Sequence, residues 1–291
     1  MKESTGLQNR VLFMDAEGIL TWDSQQVEER LKMFLDSDAD LPEWNLRCST
    51  GIPDYLADEK TRIDRVSQFD FSRVGHGYAI GRYVRGMITS YVVCSEDFAD
   101  AELFYSDEID NYNIRDIAVP LNQSFRYRIT YCRGIMMHAS AVICNGKAIL
   151  FTGVSGAGKS TQARLWKEFA GAEVLNYDQV LIFPKKEPVM VCGTPWAGKE
   201  NLYVPGKYPL GAIVLVEKAG DNKVTELSKG EAFSRIYLNN YLYPLNEEIE
   251  NRYCDSISRL VAEIPVYGLK CTVTGEAVTC LYRKLFGSDP Y

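Results

Sequence analysis

The chain has 291 residues, 46% hydrophobic and 24% charged, with a formal net charge of −7. That length fills one large core or two modest ones, and no apolar run approaches the roughly 18 residues a membrane span needs. The acidic balance disfavours sequence-independent nucleic-acid binding, which depends on Lys and Arg neutralising phosphates. Eight scattered cysteines and only two histidines, with no Cys-x-x-Cys pair, argue against structural zinc and against a disulfide framework.

In chain order, residues 1–10 are polar and lack the apolar core of a secretory signal, so the expected location is cytoplasmic. Asp23 and Ser24 offer a cap for a helix carrying Val27, Leu31, Phe34 and Leu35 at helical spacing. An acidic loop follows to Glu43, and no clean period appears before about Phe71. From Gly75 the pattern becomes short β-type runs, at Tyr78–Val84, Met87–Cys94, Ala101–Tyr105 and Ile114–Pro120, which predict a small, mostly antiparallel sheet. His76, in a glycine-flanked turn between these elements, reads as a structural or surface residue.

The second half alternates strand-like and helix-like segments, the arrangement of an α/β layer. Strands are expected at Ala139–Cys144, Lys147–Thr152, Glu173–Asn176, Leu210–Glu217 and Val266–Val273, and helices at Lys159–Ala170, Lys229–Tyr241, Glu247–Glu263 and Gly275–Phe286. The implied division is an N-terminal mixed, β-rich accessory region over residues 1–130 and a catalytic domain over 131–291.

Gly153-Val154-Ser155-Gly156-Ala157-Gly158-Lys159-Ser160-Thr161 fits G-x-x-x-x-G-K-[ST], with an apolar strand before it and a helix after it. Glycines let the backbone turn successive N–H groups inward, and with a helix N-terminus these make an anion site for the phosphates of ATP or another nucleoside triphosphate. Lys159 is expected to reach the terminal phosphates and the Ser160 hydroxyl to coordinate Mg2+, with Thr161 one position on.

Asn145-Gly146 is a strong hairpin signal, so the strand before this loop should pair antiparallel with its predecessor. A two-residue turn sets the register: Cys144 faces Lys147, Val142 faces Ile149, and His138 falls opposite Gly153. That puts a histidine at the mouth of the phosphate site, where its roles divide between structure and phosphate binding or proton transfer. Downstream, a strand over Glu173–Asn176 delivers Asp178, a candidate to take an acceptor hydroxyl's proton or to hold Mg2+. Glu217, closing the run Ala212–Val216, competes for the acidic role. Between them lies Cys192-Gly193-Thr194-Pro195-Trp196-Ala197-Gly198-Lys199-Glu200, either a binding loop in which Trp196, Lys199 and Glu200 meet substrate or a turn whose Trp196 plugs the core. Arg252, Arg259, Lys270 and Arg283 are further candidates to clamp phosphate.

Met137-His138-Ala139-Ser140-Ala141-Val142, the Asn-Gly hairpin, the 153–161 loop and Asp178 together resemble the catalytic domain of HPr kinase/phosphorylase. They resemble still more its shorter relatives found beside peptide-modification genes, in which a Gly-x-Pro-Trp-x-Gly segment is similar to residues 193–198. The likeness covers about residues 133–286. It implies an α/β fold with a mixed-sheet P-loop domain of the HPr kinase/phosphoenolpyruvate carboxykinase type, joined here to an N-terminal β-rich part. It also implies phosphoryl transfer from ATP to a serine-type hydroxyl, with Asp178 as base, Lys159 and the loop amides on the phosphates, Ser160 on Mg2+, and His138 matching the motif histidine. Two departures stand out: Tyr177-Asp178 replaces adjacent aspartates, and a Glu-Ile-Arg-Gly metal-binding segment is missing. The first 130 or so residues do not resemble the HPr kinase regulatory domain, so HPr is not the expected acceptor; the likeness to the shorter relatives, some of which tailor ribosomal peptides, implies instead a peptide or small protein, such as a ribosomal peptide precursor. A nucleotide-dependent peptide-binding module and a small-metabolite kinase are the alternative readings.

Overall fold

The computed structural model describes residues 10–15, 18–23, 45–57, 61–105, 115–184, 186–194, 196, 198, 202, 204 and 206–290. The helix expected after Asp23, and the candidate residues Lys199 and Glu200, lie outside the described residues. The chain divides into two compact units, Met1–Cys132 with Leu242–Asn251, and Arg133–Tyr241 with Arg252–Tyr291. The whole is mixed α/β.

In the first unit β1 (Arg10–Asp15) and β2 (Gly18–Asp23) form a hairpin. A six-stranded sheet follows, built from β3 (Asn45–Thr50), β4 (Arg62–Val66), β5 (Phe69–Val74), β6 (Gly77–Val84), β7 (Met87–Cys94) and β8 (Asp100–Tyr105) in the order β3-β8-β7-β6-β5-β4. All its pairings are antiparallel except β3 with β8. Its core is aromatic: Phe71 stacks on Tyr243 at 4.8 Å and Phe98 on Tyr127 at 4.9 Å. Asp70 is buried in this sheet and compensated, with Arg62 and Arg65 Nε at 3.0 and 2.9 Å, so its charge is paired as a buried carboxylate requires. The Tyr91 hydroxyl donates to the same carboxylate at 3.4 Å, and burial pushes its phenol up to about 12.

Of the run Ile114–Pro120, read from sequence as a strand, the described residues from Arg115 on belong instead to a helix, α1 (Arg115–Tyr131). Its β-branched isoleucine and valine residues suggest β structure locally, but Leu121, Phe125 and Ile129 recur every four residues and are all buried, and that longer period decides the element.

The second unit comprises β9 (Ile135–Cys144), β10 (Lys147–Thr152), α2 (Lys159–Ala170), β11 (Glu173–Asn176), β12 (Gln179–Phe183), β13 (Met190–Cys192), β14 (Lys207–Lys218), β15 (Lys223–Glu226) and α3 (Lys229–Asn239). The last turns of α4 (Glu247–Glu263), then β16 (Val266–Cys271) and α5 (Gly275–Phe286), complete it. Asn145 and Gly146 both take positive φ, 49° and 73°, the conformation of a two-residue primed turn. The register is the expected one, Cys144 opposite Lys147 and Val142 opposite Ile149, running to Ala139 opposite Thr152. On its other side β10 pairs with β14 in parallel, so the strand that enters the glycine-rich loop has one antiparallel and one parallel neighbour. The pairings β10-β9-β12-β13-β14 close back onto β10. Long strands make this possible: β9 gives its first half to β12 and its second half to β10 and β11.

Helix α2 covers one face of this sheet. Trp166, fully buried, packs on Phe151 of β10 at 5.9 Å and on Tyr282 of α5 at 5.8 Å. Gly171, at φ 60°, ends the helix as a left-handed glycine commonly does.

Candidate functional site

The loop of residues 153–158 joins the C-terminal end of β10 to the N-terminus of α2. Gly153, Gly156 and Gly158 all have positive φ, at 146°, 79° and 106°, a backbone that other residues adopt only with strain. At Gly153 space is limiting as well, because a Cβ there would lie 3.0 Å from the Val216 carbonyl oxygen of β14. No side chain caps the N-terminus of α2, which leaves its first-turn N–H groups for an anion to fill.

Lys159 opens α2 and folds back into the loop, its Nζ donating to the carbonyls of Gly153 at 3.1 Å and Val154 at 3.3 Å. Burial lowers its pKa from the ordinary 10.5, and the nearby Asp178 charge partly opposes that shift. Ser160 and Thr161 follow on the first turn, both partly exposed.

His138 and Asp178 come together at the same end of the sheet. The pairing of Gln179 with His138 sets the two strands side by side, and His138 Nε2 lies 3.0 Å from Asp178 Oδ1 with both side chains partly exposed. Each residue is held through its backbone. The His138 N–H donates to Asn240 Oδ1 at 2.7 Å, and its carbonyl accepts from the Thr152 hydroxyl at 3.0 Å. The Asp178 carbonyl accepts the Ala139 N–H at 2.9 Å. Asn240 is itself fixed, giving Nδ2 to the Ile236 carbonyl at 3.1 Å and receiving the Tyr253 hydroxyl on its own carbonyl at 2.6 Å.

The turn that presents Asp178 is organised by Asn176, whose Oδ1 accepts from the N–H groups of Asp178 at 2.8 Å and Gln179 at 3.1 Å. Asn176 was not among the residues singled out from sequence. The signal was present, since an Asn side chain that accepts the N–H two residues on is the pattern of an Asx-turn.

The remaining candidates separate clearly. Glu217 turns toward Lys270, 3.7 Å away, and both are more than half exposed. Arg259 and Arg283 pair with Asp255 and Asp289. Tyr177 packs against the α2 core with the Arg164 guanidinium 5.8 Å over its ring, and its carbonyl accepts from the Ser140 hydroxyl at 2.7 Å. In the first unit the His76 carbonyl accepts from the Arg73 guanidinium at 3.4 Å. Trp196 is partly buried in a loop anchored near Asp178.

The hydroxyl of Ser160 and the carboxylate of Asp178 are hard oxygen donors of the kind Mg2+ takes. Among the described residues no three of His, Cys, Asp and Glu cluster as a metal cage. That is compatible with an ion held by one or two protein oxygens plus substrate phosphates and water, the usual Mg2+ arrangement.

A family model described as SynChlorMet cassette protein ScmC matches residues 108–283. Among solved structures, the HPr(Ser) kinase/phosphatase from Coxiella burnetii aligns over 52% of this chain and 92% of its own, at 10% sequence identity and a TM-score of 0.28. No curated protein matches the sequence. No described helix is long and apolar enough to cross a membrane.

Proposed function

This chain belongs to the SynChlorMet cassette protein ScmC family, and we propose that it is an ATP- and Mg2+-dependent kinase transferring the γ-phosphoryl group to a serine-type hydroxyl of a peptide or small protein. The observation that carries the reading is the convergence of three groups at one end of the sheet. A glycine-rich loop opens onto a helix N-terminus, Lys159 folds into that loop, and a carboxylate, Asp178, acts on the lysine's charge while pairing with His138.

In this reading the loop amides and Lys159 hold the phosphates, with Lys159 exchanging its two carbonyl contacts for phosphate oxygens. Asp178 takes the proton from the acceptor hydroxyl as the new P–O bond forms and the bond to the leaving nucleoside diphosphate breaks. His138 holds the carboxylate through Oδ1. Ser160 and Asp178 would bind Mg2+, which neutralises developing phosphate charge. The protein's share of the rate is positioning and charge compensation.

The test is incubation with Mg2+, γ-labelled ATP and a library of serine-containing peptides, with transfer followed by mass spectrometry. Label on a peptide serine supports the proposal. Tight nucleotide binding with no transfer to peptides, metabolites or water overturns it.

Lys159 adds a pH signature. With its pKa lowered by burial, the free protein should lose the lysine charge as pH rises, beginning below the ordinary lysine value. Nucleotide affinity measured by titration calorimetry is therefore expected to fall with rising pH over that range. In Lys159→Met the affinity should be lower throughout and lose that fall. An unchanged pH dependence in the variant would separate Lys159 from phosphate binding.

A further inference from the structure

Asn240, buried at the C-terminal cap of α3, lays its side chain on the backbone of His138, 102 positions earlier in the chain. The ladder explains why. Backbone groups of successive strand residues point to opposite edges. Ala139 directs its N–H to the Asp178 carbonyl, on the β12 side, so the N–H and carbonyl of His138 face the β10 side. There the pairing has ended, because its last pair is Ala139 with Thr152 and the chain then turns into the glycine-rich loop. Backbone polar groups need partners once they leave water, and two buried side chains supply them. Thr152 Oγ1 donates to the His138 carbonyl at 3.0 Å, and Asn240 Oδ1 accepts the N–H at 2.7 Å. Asn240 itself has little room to move. Its Nδ2 and its backbone N–H both donate to the Ile236 carbonyl at 3.1 Å, and its own carbonyl receives the Tyr253 hydroxyl at 2.6 Å. The far end of α3 is closed by the Ser228–Glu231 capping box. The helix therefore presents one acceptor, at a fixed place, to the peptide that carries the His138 ring.

We infer that Asn240 is a positioning residue for the reaction: by fixing the His138 peptide it sets the imidazole against Asp178 Oδ1 and leaves the other carboxylate oxygen for the acceptor hydroxyl. The inference rests on the kinase reading above. Asn240 acts through His138, whose Nε2 is 3.0 Å from that oxygen. The two side chains of the pair are partly exposed, so packing around them does little to orient them and the backbone beneath has to. Misplacing a catalytic group by about 1 Å can lower a rate on the order of 10²-fold, which makes a buried acceptor at the His138 N–H a control on turnover rather than on nucleotide binding.

Asn240→Leu keeps bulk and removes the acceptor. Transfer from labelled ATP to serine peptides by the full chain is expected to fall about 10²-fold in kcat, with KM for ATP unchanged. Asn240→Asp keeps Oδ1 for the His138 N–H and gives up only the donor to Ile236, so it should recover most of that loss; were the cap of α3 all that mattered, Asp and Leu would fail alike. In a His138→Ala background Asn240→Leu should add little, since groups that act as a unit are not additive. A second readout needs no transfer. The chain has two histidines, so the His138 ring protons can be followed by NMR beside those of His76. At one fixed pH, Asn240→Leu should move them in the direction in which Asp178→Asn does, with His76 unmoved and nucleotide affinity retained as checks on folding. If Asn240→Leu fails those checks, Tyr253→Phe, which releases only the Asn240 carbonyl, should give the same shift in smaller measure. Failure of Asp to rescue, a full loss in the His138→Ala background, or His138 signals that stay in place each overturn the role. Wild-type protein that binds nucleotide and transfers no label removes the kinase reading instead, and the NMR comparison then decides by itself whether Asn240 sets the His138–Asp178 pair.

Discussion

Asp178→Asn is expected to lower phosphoryl transfer by about 10²–10⁴-fold, the range ascribed to a positioned general acid or base, while nucleotide binding persists. The substitution is nearly isosteric, and the bonds that set the turn run through the backbone: Asn176 Oδ1 to the N–H groups of residues 178 and 179, and Ala139 N–H to the carbonyl of residue 178. Geometry should therefore survive while the capacity to take a proton is lost. A secondary consequence concerns Lys159, whose pKa is lowered by burial and raised by the Asp178 charge. Without that charge the lysine should lose its proton at a lower pH, moving the alkaline fall in nucleotide affinity further toward neutrality. Single-turnover transfer and nucleotide titration on the same preparation read both effects. Undiminished transfer would remove Asp178 from the chemistry, and Glu217, paired with Lys270, would then be the carboxylate to test.

What the sequence made legible followed from short-range chemistry. Asn145-Gly146 demands positive φ at both turn residues and so dictated the β9–β10 register, and the register carried His138 to the level of the glycine-rich loop. The contact between His138 and Asp178 was not legible, because it depends on β12 pairing with the first half of β9. Gln179–Phe183, a five-residue segment with four apolar residues, has no period long enough to distinguish it from a loop. The bond between Asn176 and Thr194 was hidden for a related reason: it spans 18 residues and joins elements that are not sequential neighbours in the sheet. The misreading of Ile114–Pro120 shows the opposite failure, in which β-branched residues outweighed a helical period whose buried members lay mostly beyond the window considered.

The core beneath the loop gives the second large effect. Trp166→Ala is expected to destabilise the chain by about 3–5 kcal/mol, as large-to-small substitutions at fully buried aromatic sites do. The ring bridges Phe151 at the end of β10 and Tyr282 of α5, so its removal loosens the seat of the helix that starts at Lys159. Against a typical total of about 5–15 kcal/mol such a loss should bring unfolding close to the working range and weaken nucleotide binding with it. Trp166→Phe separates the ring's packing from its polar atom. Among the described residues Trp166 Nε1 is buried with no hydrogen-bond partner, and an unsatisfied buried donor costs about 1–3 kcal/mol. Deleting that donor offsets part of the cavity left by the smaller ring, so the Phe variant should lose much less stability than the Ala variant and keep its nucleotide affinity. Urea unfolding of the three proteins, with nucleotide titration of each, measures the difference. Equal losses for Phe and Ala would mean that the indole's shape, and not its apolar bulk, is what seats α2 against the sheet.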